Sequence, residues 1–200
     1  MKIKDRLKPK LPQVEPGVYI AVCVGVIDLG EQYSEKFKKY YNKVKFVWEL
    51  AGETIEIDGE TKPRQLQREF TVTEGKKDKP SKLREWLSSW NGKAYTKEEF
   101  GEIEFFDQIK KACQLQVVLN ETGEHANVEN IMPLPKGMPT PTPISECFTW
   151  DMDKWDDAVF EKLPEWTQEQ IKKSTQYQKE HAPETEIKIE TPAAEGVCPI

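Results

Sequence analysis

A change of hydrophobic period constrains this chain more than any other feature. Up to about residue 73 the apolar residues recur at every second position, which is the period of a strand. Residues 17–29, GVYIAVCVGVIDL, put Val18, Ile20, Val22, Val24 and Val26 on one face, and β-branched residues dominate. Gly25 in the middle predicts a bulge or sharp coiling. Residues 36–50, KFKKYYNKVKFVWEL, form a second strand. Val44, Phe46, Trp48 and Leu50 read as its buried face. Tyr41, Lys43, Lys45 and Val47 read as an exposed one. AGETIEIDGETKP carries turn signals at Ala51-Gly52 and Asp58-Gly59, and a third strand spans 64–73, completing an antiparallel meander.

At residue 78 the period becomes helical. Leu83, Trp86, Leu87 and Trp90 stand at i, i+3, i+4 and i+7. Asp78 or Ser81 can cap this helix, with Pro80 in its first turn and Gly92 at its end. Thr96 and Glu99 have capping-box spacing. Two strands come next, at 113–120 and 125–134, joined by ETGE. The expectation is a mainly β chain. Its order of three strands, a helix and two strands is that of a five-stranded OB-fold barrel, with the helix between strands 3 and 4.

Charge separates the barrel from the C-terminal third. Residues 1–135 hold 22 Lys and Arg against 22 Asp and Glu, whereas residues 136–200 hold 7 against 13, so the whole net charge of −6 lies beyond residue 135. The expected organisation is an N-terminal arm over 1–16, the OB-fold domain over 17–135, a Pro-rich linker with an amphipathic helical segment over 136–177, and a disordered tail over 178–200. Pro133, Pro135, Pro139, Pro141 and Pro143 mark the linker. Trp155 and Val159 fall at i, i+4 in a helix that Pro164 breaks, and a further short helix starts there. Two tryptophans, Trp155 and Trp166, stand in this acidic context. The whole reads as a C-terminal helical and extended acidic tail.

Several function classes lack support. No run of about 18 apolar residues predicts a membrane span. MKIKDRLKPK has no apolar core of a secretory leader, so a cytoplasmic location is expected. Cys23, Cys113, Cys147 and Cys198 form no CxxC pair, and His125 and His181 have no ligand beside them, so the cysteines read as reduced structural thiols. Walker A, GxGxxG, GxSxG and HExxH motifs are absent. Asp151 and Asp153 form a DxD pair that reads as a solvated helix face. The expectation is no enzyme, no cofactor and no metal.

PGVY at 16–19, NKVKFVWEL, QREFTVT, SKLREWL and the run CQLQVVLNETGEHANVENIMPLPKG, with FEKLPEWTQEQIKKS beyond it, together resemble a family of bacteriophage- and prophage-encoded OB-fold single-stranded DNA-binding proteins. The resemblance spans residues 14–177. It implies a DNA-binding role in phage replication or recombination inside a host bacterial cell, without catalysis. The better-known bacterial single-strand binders end in an acidic tip closed by Pro-Phe; this chain ends EGVCPI.

Single strands are held by aromatic side chains that stack on bases and by Lys or Arg that neutralise phosphates. The candidate residues are Phe37, Lys38, Lys39, Tyr40, Tyr41, Lys43 and Lys45, joined by Arg64 and Arg68 from the third strand and by Lys76 and Lys77 from the loop after it. Trp155 and Trp166 of the acidic C-terminal segment are open to three readings: packing on the barrel, binding a partner protein, or competing with DNA for the groove. If the segment covers the groove, deleting residues 140–200 raises affinity at low salt. It is also a candidate dock for replication or recombination proteins. An alternative reading makes the chain an OB-fold protein-interaction adaptor anchored by Trp155 or Trp166. An open sheet edge would also let a second copy pair.

Overall fold

The computed structural model describes residues 12–57, 59–76 and 79–181. Three long strands open the fold: β1 (Gly17–Ser34), β2 (Lys39–Ile57) and β3 (Glu60–Thr71). A two-stranded ribbon follows, β4 (Gly75–Lys76) and β5 (Lys79–Pro80). Then come α1 (Lys82–Asn91), α2 (Lys97–Gly101), a 3-10 turn (Phe105–Gln108), β6 (Ala112–Leu119) and β7 (Ala126–Pro133). The C-terminal third adds β8 (Phe148–Trp150), α3 (Asp157–Lys162), α4 (Glu165–Lys172) and α5 (Thr175–His181). The sheet order is β3-β2-β1-β6-β7, antiparallel throughout, with β8 lying parallel to β1.

The meander and the helix agree with the sequence pattern. Ser81 Oγ accepts the Arg84 amide at 3.2 Å, and Gly92 ends α1 in the left-handed region at φ 61°. Pro80 lies in β5, before the cap. The Thr96–Glu99 capping box forms at the start of α2. Leu83, Trp86, Leu87 and Trp90 are buried on one face of the sheet, with Phe46 and Trp48. Ring centroids there lie 5.7 Å apart for Trp48–Trp90 and 5.9 Å apart for Phe46–Trp90, an aromatic core of the ordinary tilted and edge-on kind.

Three expectations are corrected. The sheet has six strands and does not close: among the described residues β3 and β7 share no strand pairing. The gap is crossed by a side chain, since Arg68 donates to the carbonyls of Val128 and Glu129 on β7. Second, β1 does not bury one alternating face. Register shifts fall between Cys23 and Gly25 and between Asp28 and Gly30, in keeping with the irregularity that Gly25 predicts. They turn Val26 into the first core and Val24, Ile27 and Leu29 into a second. Val18 is 59% exposed.

Third, the C-terminal third, expected as a linker, a helical segment and a tail beside the barrel, forms its helices and packs them into the fold. Trp150, Met152, Phe160, Leu163 and Ile171 pack on Val24, Ile27, Leu29 and Val47, on the sheet face opposite α1. Fully burying side chains of this size stabilises by about 1.5–3 kcal/mol each, so this layer belongs to the fold rather than resting on it. The Pro-rich stretch carries the chain there through a turn at 136–137 and without a helix or strand. The backbone amides of Ile144 and Ser145 both donate to the Glu49 carboxylate, at 2.8 and 2.7 Å. The expected boundary at residue 135 therefore separates no packing units. Residues 178–181, expected in a disordered tail, end α5; residues 182–200 and the arm over 1–11 lie outside the described residues.

Candidate nucleic-acid interface

β1 and β2 form one long hairpin whose tip stands clear of both cores. The amides of Phe37 and Lys38 donate to Ser34 O, at 3.2 and 2.7 Å, and Lys38 takes the left-handed conformation at φ 52°. This tight return sets Tyr33 opposite Tyr40 in the register, with ring centroids 5.0 Å apart. Phe37 meets Tyr41 edge-on at 6.2 Å. Phe37, Tyr40 and Tyr33 are 60%, 53% and 43% exposed, so three rings of large area face water within one turn. Lys36 lies over the Phe37 ring at 5.4 Å, and Lys38 pairs with Glu35 at 2.7 Å. Among the described residues, Lys39 and Lys43 form no ion pair.

The eleven residues singled out from the sequence do not form one groove. Phe37, Lys38, Lys39, Tyr40 and Tyr41 gather at the tip, with half-buried Lys43 at its root. Lys45 and Val47, expected on an exposed face, are buried, because α3 and α4 cover that face of β2. Lys45 Nζ pairs with Glu69 at 3.2 Å, donates to Gln170 Oε1, and lies 3.7 Å from the centre of the Trp166 ring. Burial pulls its pKa down, and the Glu69 carboxylate opposes that shift. A buried ammonium held this way cannot reach a phosphate.

Arg64 and Arg68 point to the opposite side of the sheet. Arg68 pairs in register with Phe46, its guanidinium lies 4.5 Å from the Trp86 ring centre, and burial lowers its pKa. Its donors serve β7 carbonyls, so its role is to bridge the sheet edges. Arg64 donates to Pro12 O and lines an open cleft of about 670 Å³ with Lys62, His125, Ile55 and Ile57. Lys76 is exposed on the β4 ribbon, five residues beyond Thr71, which pairs with Lys43. Lys77 lies outside the described residues.

Two tip residues, Tyr33 and Lys36, are absent from the sequence-derived set. Tyr33 falls between the two strands read from the sequence, and Lys36 opens the second of them. Their signal lies in the spacing: a four-residue return between Ser34 and Lys39 forces Tyr33 against Tyr40.

Asp28, Asp151 and Asp153 line a cleft of about 480 Å³, where burial raises the Asp28 carboxyl above the usual range and the two other carboxylates raise it further. Among the described residues no group of three or more His, Cys, Asp or Glu side chains is placed to hold a metal ion. Burial pushes the Cys23 thiol up to about 12 and raises Cys113 as well, which makes both poor nucleophiles. Among the described residues no helix is long and apolar enough to cross a membrane. No protein-family model, curated protein or solved structure matches the chain.

Proposed function

We propose that this protein is a non-enzymatic single-stranded DNA-binding protein of phage replication or recombination, acting in the host cytoplasm through the tip of its first hairpin. One observation carries the reading: Tyr33, Phe37 and Tyr40 are exposed together, among Lys36, Lys38 and Lys39. Water-facing rings at a hairpin tip forgo burial worth about 1.5–3 kcal/mol each unless a ligand covers them. Bases have a flat π-face whatever their sequence, and lysines supply the phosphate contacts.

The strand order supports the same reading. The order β3-β2-β1-β6-β7, with α1 between β3 and β6 and Arg68 spanning the open gap, is compatible with an OB-type connectivity. In such barrels the loop between the first two strands and the neighbouring sheet face take oligonucleotides. Here that loop is the aromatic tip. The adaptor reading keeps one exposed anchor, Trp166, since Trp155 is held 4.7 Å from Trp150 and 4.9 Å from Phe160 within the second core.

Fluorescence anisotropy of a labelled oligo-dT, with duplex as competitor, tests the proposal. Phe37→Ala and Tyr40→Ala should each weaken binding roughly 5- to 150-fold, the range that about 1–3 kcal/mol per stacked base implies. A double variant with wild-type stability and wild-type affinity would overturn it.

A further inference from the structure

We propose that Trp166, on α4, is a second base-stacking platform for the same single strand, which makes the C-terminal layer part of the binding surface. The inference rests on the DNA-binding reading above and extends it from the hairpin to a helix of the C-terminal third.

The geometry is specific. β2 pairs residue by residue with β1 from Tyr41 to Lys43 and with β3 from Lys43 to Glu49. Tyr41, Lys43 and Lys45 therefore share one side. Gln32, which pairs with Tyr41, donates to Gln170 O at 2.9 Å, so this side is the one that α4 faces. Trp166 closes the strip at its inner end. One face of its indole receives Lys45 Nζ at 3.7 Å, yet the residue is 42% exposed. A ring that holds a buried cation and is still 42% exposed is partly fixed before any ligand arrives, so less ordering remains to be done when a base stacks on it. The stretch from Tyr41 to Lys45 spans about 13 Å along the strand.

The charges beside this platform decide what it can touch. Glu165 and Glu169 are on α4 near Trp166, and Glu69 neutralises Lys45 beneath it. Phosphates gain nothing there. Bases do, so Trp166 contributes stacking and leaves the salt dependence to the lysines of the tip.

Intrinsic fluorescence gives a direct test. Trp48, Trp86, Trp90 and Trp150 are at most 3% exposed and Trp155 is packed among aromatic rings, so quenching by a stacked base should come from Trp166. Saturating oligo-dT should quench wild-type emission. In Trp166→Phe the quench should vanish while affinity stays within about 5-fold, because phenylalanine still stacks. Trp166→Leu should lose roughly 5- to 150-fold in affinity with an unchanged salt slope. If Trp166→Leu disturbs α4, the quench in Trp166→Phe still decides the question. Full quenching in Trp166→Phe, or wild-type affinity in Trp166→Leu while Phe37→Ala is weakened, would overturn this inference and leave the hairpin reading intact. A folded wild-type protein that binds no single strand would overturn both.

Discussion

Gly25→Ala should destabilise the protein, and shortening Phe148 should relieve the effect. A Cβ at position 25 would lie 2.7 and 2.9 Å from two carbons of the Phe148 ring and 3.1 Å from Val47 Cβ. Contacts under 3.0 Å require something to move. The Phe148 ring is half-buried and can tilt, whereas Val47 is fixed between layers. Overpacking of this kind costs about 1–3 kcal/mol, and the reduced freedom of the unfolded chain returns about 0.4–1 kcal/mol. The net expectation is a loss of roughly 1–2 kcal/mol. Urea unfolding of wild type, Gly25→Ala, Phe148→Leu and the double variant forms a cycle. A coupling energy of about 0.5–2 kcal/mol favouring the double variant is expected, with an unchanged denaturant slope. Additivity within about 0.3–0.5 kcal/mol would refute the packing of β8 on β1.

Removing the Arg68 guanidinium by Arg68→Ala should cost about 1.5–3 kcal/mol of stability, read by urea unfolding, because it leaves carbonyls of Val128 and Glu129 without their donor. The salt slope of DNA binding should not change, whereas Lys43→Gln should reduce it by about 0.7. Asp28→Asn should stabilise the protein in a pH-dependent way. Burial raises the folded-state pKa above its ordinary 3.8, so the folded state holds the proton more tightly and wild type loses stability as pH rises through that window. The variant's advantage in denaturant unfolding should grow upward from about pH 3.8 and then flatten; an advantage independent of pH would contradict this. A chain ending at Pro143 would expose Val24, Ile27, Leu29 and Val47 and lose their five large apolar partners. The deficit of about 7–15 kcal/mol matches the whole stability of an ordinary domain, so circular dichroism should show an unfolded or aggregated product rather than a folded one with raised DNA affinity.

Local patterns were legible where one face decides an element. The stripe of Leu83, Trp86, Leu87 and Trp90, the Ser81 cap and the Thr96–Glu99 box all stand where their spacing put them. The strands were found, but their faces were misassigned. Alternation predicts a wet side only when nothing covers it. The layer that buries Lys45 comes more than a hundred residues later, brought back by β8, a strand of three residues whose period is too short to read. A hint lay in β1 itself: Ala21 to Ile27 is apolar on both faces, the signature of a strand covered on both sides. At the site, the crowding of lysine and aromatic residues around Tyr40 was visible in the sequence. Tyr33, Lys36 and Trp166 enter the proposed interface only through a turn and through a helix packed from afar, which the local pattern does not show.

Whether the hairpin tip grips a single strand is decided most directly by one titration. A labelled ~30-nucleotide single strand, titrated with wild-type protein at two salt concentrations against unlabelled duplex, should bind at low salt, weaken as salt rises by a slope of about 0.7 per neutralised phosphate, and resist the duplex. Absence of binding at low salt by correctly folded protein would contradict it.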